Sequence, residues 1–394
     1  MKLADRVNRL APSMTFAIGN KAKALRAAGA DVCDFSVGEP DFITPSTMRE
    51  AAKAALDAGK TKYTPTAGLP ELRALIAAKL NTENGLPYTA EQILVTAGAK
   101  QALYNMLTVL VNPGDEVLIP TPAWVTYQEI VKLNGAEPVF VRTTEEMGFK
   151  LTASQLGAAI TPRTRLLILN SPSNPTGAVY TSEELAALAE VIVEREVIVI
   201  ADEIYEKLIY DGLSHRSIGS LGREIYNLTV TVNGFSKAYA ATGWRLGYAA
   251  APVPVIRAAT SVQDHSTSGA NTFAQYGALA GLAGPADTIE EMRAVFEQRR
   301  NQIVSGLQAI PGLTCTRPQG AFYVFPNIAH TGLDSMTFCS RLLEQQAVAT
   351  VPGVAFGADE NIRISYATDT DTILEGLTRL ERFVRALSED PRQE

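Results

Sequence analysis

The sequence predicts an α/β fold with a mainly parallel central sheet in a large unit, plus a smaller α+β unit. Three observations predict it. Between residues 90 and 250, β-branched apolar runs alternate with helical patterns, the signature of a parallel sheet covered on both faces. Five of those runs, 93–96, 117–119, 166–169, 197–201 and 228–232, end in short loops rich in glycine or polar residues. Beyond a helix-like stretch at 290–307 the pattern changes to short strands, 321–325 and 362–366, closed by an amphipathic helix over 370–387.

In chain order, residues 34–37 read as an isolated short strand before the turn Gly38-Glu39-Pro40-Asp41, and this N-terminal segment is expected to join the smaller unit. The expected division is 1–45 together with 289–394 in the smaller unit and 46–288 in the larger. Asn112-Pro113-Gly114-Asp115 is a turn ahead of a strand at 116–119. Thr181 and Glu184 form a capping box before Leu185, Leu188, Ala189 and Ile192, which are spaced for one buried helix face. The last residues, 388–394, are polar and expected to fray. There is no internal repeat.

A chain of 394 residues, 46% hydrophobic and 20% charged, can bury a large core and form more than one domain. Its net charge of −7 provides no basic footprint for nucleic acid. The three cysteines, Cys33, Cys315 and Cys339, form no C-x-x-C and meet no histidine at zinc-ligand spacing, so no metal site is expected and a reducing, cytoplasmic compartment fits. Residues 1–9 alternate charged and apolar positions, and no run approaches the ~18 apolar residues of a membrane span. Neither export nor membrane insertion is expected.

Ligands of open α/β sheets collect beyond the carboxyl ends of the strands. Lys237, in Asn233-Gly234-Phe235-Ser236-Lys237, follows the run 228–232 and precedes Arg245 by eight residues. A lysine amine is a poor nucleophile near neutral pH unless it is desolvated or held beside another cation, and this position offers both. Ser236 and Arg245 can bind a phosphate by charge-assisted hydrogen bonds. Thr96-Ala97-Gly98-Ala99-Lys100-Gln101 is a strand-to-helix turn whose free amides suit the same anion. Asp202 follows a run apolar enough to be buried on both faces, so its carboxylate needs a partner, which a pyridinium N–H would supply. Tyr205 and Asn174 are neutral donors suited to a phenolate oxygen, and Trp124 to ring stacking. The set fits a flat, phosphorylated, aldehyde-bearing heterocycle.

Each residue alone has an ordinary alternative. A lone lysine is usually a solvated charge, a Gly-Ala turn usually only a turn, an aspartate after a strand usually a cap or an ion pair, and a tryptophan usually core. Their shared position at strand ends favours the site. Arg363, in a short strand-like run, reads by itself as a surface or structural ion-pair residue, while His215, His265 and His330 match no catalytic pattern.

Taken in order, Gly38-Glu39-Pro40-Asp41-Phe42, Tyr63-Thr64-Pro65 with Gly68, Asn170-Ser171-Pro172 leading into Asn174-Pro175-Thr176-Gly177, Asp202-Glu203-Ile204-Tyr205, Ser236-Lys237 with Gly243-Trp244-Arg245, and Ile362-Arg363-Ile364-Ser365 span almost the whole chain. This set resembles the class I and II aminotransferases, pyridoxal-phosphate enzymes of fold type I, and is similar to the bacterial aspartate aminotransferases. The resemblance implies pyridoxal 5'-phosphate as cofactor, with Lys237 carrying it and moving the substrate Cα proton. It further implies Asp202 at the pyridine nitrogen, Asn174 and Tyr205 at the phenolic oxygen, and Trp124 on the ring. The phosphate would be held by the amides of Ala99 and Lys100, by Ser236 and Arg245, and by Tyr63 from a second subunit, making a homodimer. Arg363 would clamp the substrate α-carboxylate, helped by the backbone of Gly38, with Trp124 and Asn174 also at the substrate.

The expected reaction moves an amino group between an L-amino acid, aspartate foremost, and 2-oxoglutarate. The alternatives are an aminotransferase for aromatic amino acids, prephenate or alanine, and a lyase of the same fold. Animal-type aspartate enzymes bind the distal carboxylate with a partner arginine, and the corresponding stretch here, 261–271, has none. In the resembled bacterial subgroup a lysine of the phosphate turn does that work, and Lys100 stands there; hydroxyls of Ser266, Thr267 or Ser268 are candidates to assist. Members that use prephenate tend to carry a basic residue before a Pro-Ser pair, where this chain has Ala11 before Pro12-Ser13. A cofactor-sensing transcription regulator would need a DNA-binding module ahead of the fold, and the thirty or so residues before Asp34 are expected to be too few for one. A nicotinamide dehydrogenase is disfavoured because no G-x-G-x-x-G follows a strand.

Overall fold

The computed structural model describes residues 1–10 and 14–389. Ala11-Pro12-Ser13 and the end of the tail expected to fray, 390–394, lie outside the described residues. Among the described residues twelve strands fall into three sheets. The largest contains β2 (Ile93–Thr96), β3 (Glu116–Thr121), β4 (Glu137–Arg142), β5 (Thr164–Asn170), β6 (Ile198–Asp202), β7 (Thr229–Gly234) and β8 (Gly247–Ala250), in the order β2-β8-β7-β6-β5-β3-β4. Strands β3 to β7 are mutually parallel, whereas β8 runs antiparallel to both its neighbours, β7 and β2.

Successive side chains of a strand point to opposite faces, and here both faces are apolar. Ile119, Leu166, Ile168 and Ile200 pack against the helices Ala99–Leu110 and Thr126–Leu133, while Leu118, Leu167, Leu169 and Val199 meet the helix Ser182–Glu194 on the other side. That double burial is why these strands read as continuous apolar runs. The capping box opens the helix Ser182–Glu194: the Glu184 amide donates to Thr181 Oγ1 at 3.2 Å and the Thr181 amide to Glu184 Oε2 at 2.8 Å. Two strands of this sheet have no counterpart among the expected runs. β4 is an edge strand with partly exposed residues, and β8 is Gly-Tyr-Ala-Ala, too small and too glycine-rich to register as an apolar run.

The remaining strands are short. β1 (Cys33–Asp34) pairs in parallel with β10 (Val348–Ala349), and β11 (Val351–Pro352), β12 (Ile362–Ser365) and β9 (Tyr323–Val324) form an antiparallel set. The strand expected at 34–37 is therefore shorter and earlier, because pairing with β10 stops at Asp34. Residues far apart in sequence meet here. Phe35 packs so closely on the helix Thr370–Ser388 that a Cβ on Gly376 would lie 2.3 Å from its ring. Arg299, on the helix Asp287–Ala309, holds Asp41 through two hydrogen bonds of 2.8 and 2.9 Å and thereby fixes the loop after Gly38. The three cysteines are free and buried. Among the described residues no helix is long and apolar enough to cross a membrane.

Candidate active site

The strand ends open onto one cavity of about 470 Å³, lined by Lys237, Ser236 and Arg245 after β7, by Ala99 and Lys100 after β2, and by Trp124 after β3. Asn174 reaches it from the loop after β5, Asp202 and Tyr205 from the end of β6, and Gly38 and Arg363 from the loop after β1 and from β12. Tyr63 is an exception among the sequence-predicted cofactor residues. It is 94% exposed and does not line this cavity. Ser266, Thr267 and Ser268 do not line it either; the Thr267 hydroxyl instead meets Gln101.

At one corner the helix Ala99–Leu110 begins without a side-chain cap, because its N-cap is Gly98. The first amides of a helix have no intrahelical partner and attract anions. Gly98 has φ +83°, and a Cβ there would lie 2.4 Å from Arg245 Nη2, so glycine lets the guanidinium close over the helix end. Arg245 itself is in the left-handed region at φ 50° and donates from Nη1 to the Thr242 carbonyl at 2.9 Å. Lys100 Nζ lies 4.7 Å from the centre of the Trp124 ring. Burial, aided by Arg245, lowers its affinity for a proton.

On the floor, Asp202 is 2% exposed. Its Oδ2 accepts from the Tyr127 hydroxyl at 2.8 Å and its Oδ1 from the Ile204 amide at 3.3 Å. Burial raises the carboxyl to about 6 against the opposing hydrogen bonds from Tyr127 and Ile204. Asn170 donates to the Asp202 carbonyl at 2.9 Å, which ties β5 to the end of β6.

Arg363, on β12, lines the same cavity and is 3% exposed. Nη1 donates to Asn174 Oδ1 at 3.1 Å and Nη2 to the Ser36 carbonyl at 2.8 Å, while Nε has no partner. The guanidinium stacks 4.5 Å from the Tyr323 ring centre and 5.1 Å from that of Phe356. Among the described residues no carboxylate comes within ion-pair distance of Arg363, Arg245, Lys100 or Lys237. Of these four only Arg363 is buried. A buried cation normally has an acidic partner, so the Arg363 end of the cavity is built for an anion that arrives from outside.

Lys237 lines the same cavity, and its Nζ donates to the Gly38 carbonyl at 2.6 Å. Burial, assisted by Arg363 and Arg245 and opposed by Glu39, brings its amine down to about 8. The phenols of Tyr205 and Tyr127 are pushed well above their ordinary range by burial, so they remain neutral donors. The Tyr205 hydroxyl lies 2.9 Å from that of Tyr323.

Two contributors escaped the sequence reading. Tyr127 sits three residues after Trp124, which lies just before the helix Thr126–Leu133, and this short spacing is the signal that could have placed both at one surface. Tyr323 falls in a run read as buried strand. A buried tyrosine needs a partner for its hydroxyl, and that need was its only sign. Since the neutral amine is the reactive form, trapping of a small aldehyde on Lys237 with borohydride should rise through a midpoint near pH 8. Peptide mapping across pH measures it. A midpoint near the ~10.4 of an exposed lysine would contradict the described burial.

The family of class I and II aminotransferases matches residues 30–380 of this chain. An aspartate aminotransferase of Geobacillus stearothermophilus is 50% identical, the alignment covering 98% of this chain and 100% of that protein. An aspartate/prephenate aminotransferase of Cereibacter sphaeroides is 48% identical over 98% of this chain and 99% of its own length. Among solved structures, an aspartate aminotransferase from Thermus thermophilus with maleate superposes with a TM-score of 0.94 at 44% identity, covering 97% of this chain and 99% of that one. Agreement in sequence, fold and length leaves one assignment: the chain belongs to the class I and II aminotransferases.

Proposed function

We propose that this enzyme moves the amino group between aspartate and 2-oxoglutarate, with pyridoxal 5'-phosphate as cofactor, as a cytoplasmic homodimer. The observation that carries this reading is the set of cations that line one cavity and meet no carboxylate: Arg245 at the helix start, the buried Arg363, Lys100 over Trp124, and Lys237. A phosphorylated ring and a substrate with two carboxylates supply the missing anions. The names of the relatives and the maleate of the Thermus structure, a dicarboxylate, support the same class of substrate.

The donor set fits the cofactor. The uncapped helix start with Ser236 and Arg245 would hold its phosphate, Asp202 its ring nitrogen, Asn174 and Tyr205 its phenolic oxygen, and Trp124 its face. When bound, pyridoxal phosphate supplies an electron sink for negative charge at the substrate Cα. The protein does the rest. Arg363 binds the α-carboxylate in a planar fork, with the Gly38 backbone beside it. Lys237 Nζ, low enough in proton affinity to be neutral for part of the time at physiological pH, moves the proton at Cα. The buried wall of Tyr205, Phe322 and Tyr323 keeps water from that amine.

Tyr63 supports the dimer: it is an exposed aromatic beside a turn in which the Gly68 amide donates to the Pro65 carbonyl, and a neighbouring protomer would cover it. The division into 1–45 with 289–394 and 46–288 rests on β1 pairing with β10 and on Phe35 docking against Gly376.

Arg363→Lys should weaken every substrate, because an ammonium cannot reproduce the fork. Lys100→Ala should lower kcat/KM for aspartate and glutamate by about ten- to a hundredfold, the scale of one charged hydrogen bond, while sparing an uncharged amino acid. Steady-state assays with cofactor occupancy measured in parallel decide this; an equal loss for all substrates at full occupancy removes Lys100 from the distal carboxylate. Mixing Tyr63→Ala with Lys237→Ala subunits should restore activity, because one site of each hybrid is then intact. Hybrids without activity would place Tyr63 outside the shared site.

A further inference from the structure

Behind Asp202 lies a second polar cluster that the reaction does not use. The segment Asp202-Glu203-Ile204-Tyr205-Glu206 is two-faced: Asp202 and Tyr205 line the cavity, while Glu203 and Glu206 turn away from it into the protein. Glu203 Oε2 accepts from the Ser217 hydroxyl at 2.7 Å and lies 3.1 Å from His215 Nε2. Glu206 pairs with Lys79, and its Oε2 accepts from Asn84 Nδ2 at 2.7 Å. Asn84 also reaches Glu203 Oε2 at 3.3 Å, joining the two halves. All four charged side chains are 10% exposed or less.

Two acids face two bases, and the balance closes only when His215 carries a proton. Burial disfavours the imidazolium, but the charge and hydrogen bond of Glu203, with Glu206 behind it, outweigh burial and raise its proton affinity; Lys79 opposes. Glu206 is held down to about 2, burial being overcome by Lys79 and His215. The other charged or titratable groups facing the cluster are Glu83 and Lys207 at its rim, and Tyr88, Tyr239 and Tyr248, which are pushed towards the neutral form chiefly by burial. His215 Nδ1 has no partner. It would lack one in either protonation state, so it does not distinguish them. The donor atoms of Glu203, Glu206 and His215 lie within 4.8 Å of one another, spacing that would also suit a cation, and Lys79 already fills that part.

We propose that His215, acting through Glu203, is a positioning residue for Asp202: the neutralised cluster anchors the two-faced segment, and the proton on His215 sets the charge that Asp202 experiences from behind. Glu203 is the next residue to Asp202, and its negative charge favours the protonated form of that carboxyl. Cancelling it with an imidazolium keeps Asp202 an acceptor. This rests on the proposed cofactor.

The experiment uses the cofactor-loaded enzyme and the pH midpoint of its visible absorbance. His215→Gln leaves Glu203 uncompensated, makes the potential at the site more negative, and should move the midpoint up by about 0.3 pH unit or more. The double variant Glu203→Gln with His215→Gln restores the balance of charge and should bring the midpoint back. A merely structural role would loosen both variants alike and give no return. An unmoved midpoint in the single variant, or a double variant that stays shifted, overturns the proposal. If the single variant does not fold, the His215 imidazole is titrated by NMR in the wild-type protein with and without cofactor. By reciprocity of coupling the two titrations must differ; identical midpoints overturn the proposal. A wild-type protein with no cofactor band would overturn the functional reading, and this inference with it, before any variant is made.

Discussion

The site depends on keeping a guanidinium charged where no carboxylate meets it. Arg363 cannot shed its proton in any accessible range, so its environment must replace water. The replacements come from the whole chain: the Ser36 carbonyl near β1, the Asn174 amide after β5, and the ring faces of Tyr323 and Phe356. None of these is close to Arg363 in sequence except Phe356. The pairing of β1 with β10 and the docking of Phe35 on the C-terminal helix are thus conditions for the site as well as for the fold.

A second consequence is electrostatic. Burial and the surrounding cations push the Lys237 amine down to about 8, and burial pushes Asp202 up to about 6. A lysine amine brought down in this way is neutral for part of the time near neutral pH and can carry a proton there, while a carboxyl at about 6 is still mostly ionised and can hold a cationic N–H. Sheet topology makes this possible, because the parallel strands β3 to β7 deliver their carboxyl ends to one edge.

Much of this was legible in the sequence because it is local. A strand buried on both faces announces itself as an apolar run, and the loop that follows it must be at the sheet edge, so Lys237, Asp202, Asn174 and Gly98 could be placed without a structure. The family resemblance added Arg363 and Tyr63, which no local pattern distinguishes. What stayed hidden depends on contacts across the chain. β8 is four small residues held by two neighbours; Tyr323 looks like strand core until Arg363 is seen on its face; the cluster of Lys79, Asn84, Glu206 and His215 joins residues more than a hundred positions apart. His215 matches no catalytic pattern in the sequence, since a lone histidine carries no spacing signal.

The central claim is that these unpaired cations select an amino acid with two carboxylates. Single-turnover mixing of the cofactor-loaded enzyme with a panel of amino acids, followed by the loss of the cofactor's visible band, reads that selection before any product release. Aspartate and glutamate are expected to react fastest, ahead of alanine and the aromatic amino acids by at least about tenfold, the discrimination that one charged contact provides. An uncharged or aromatic amino acid reacting as fast as aspartate would contradict the account.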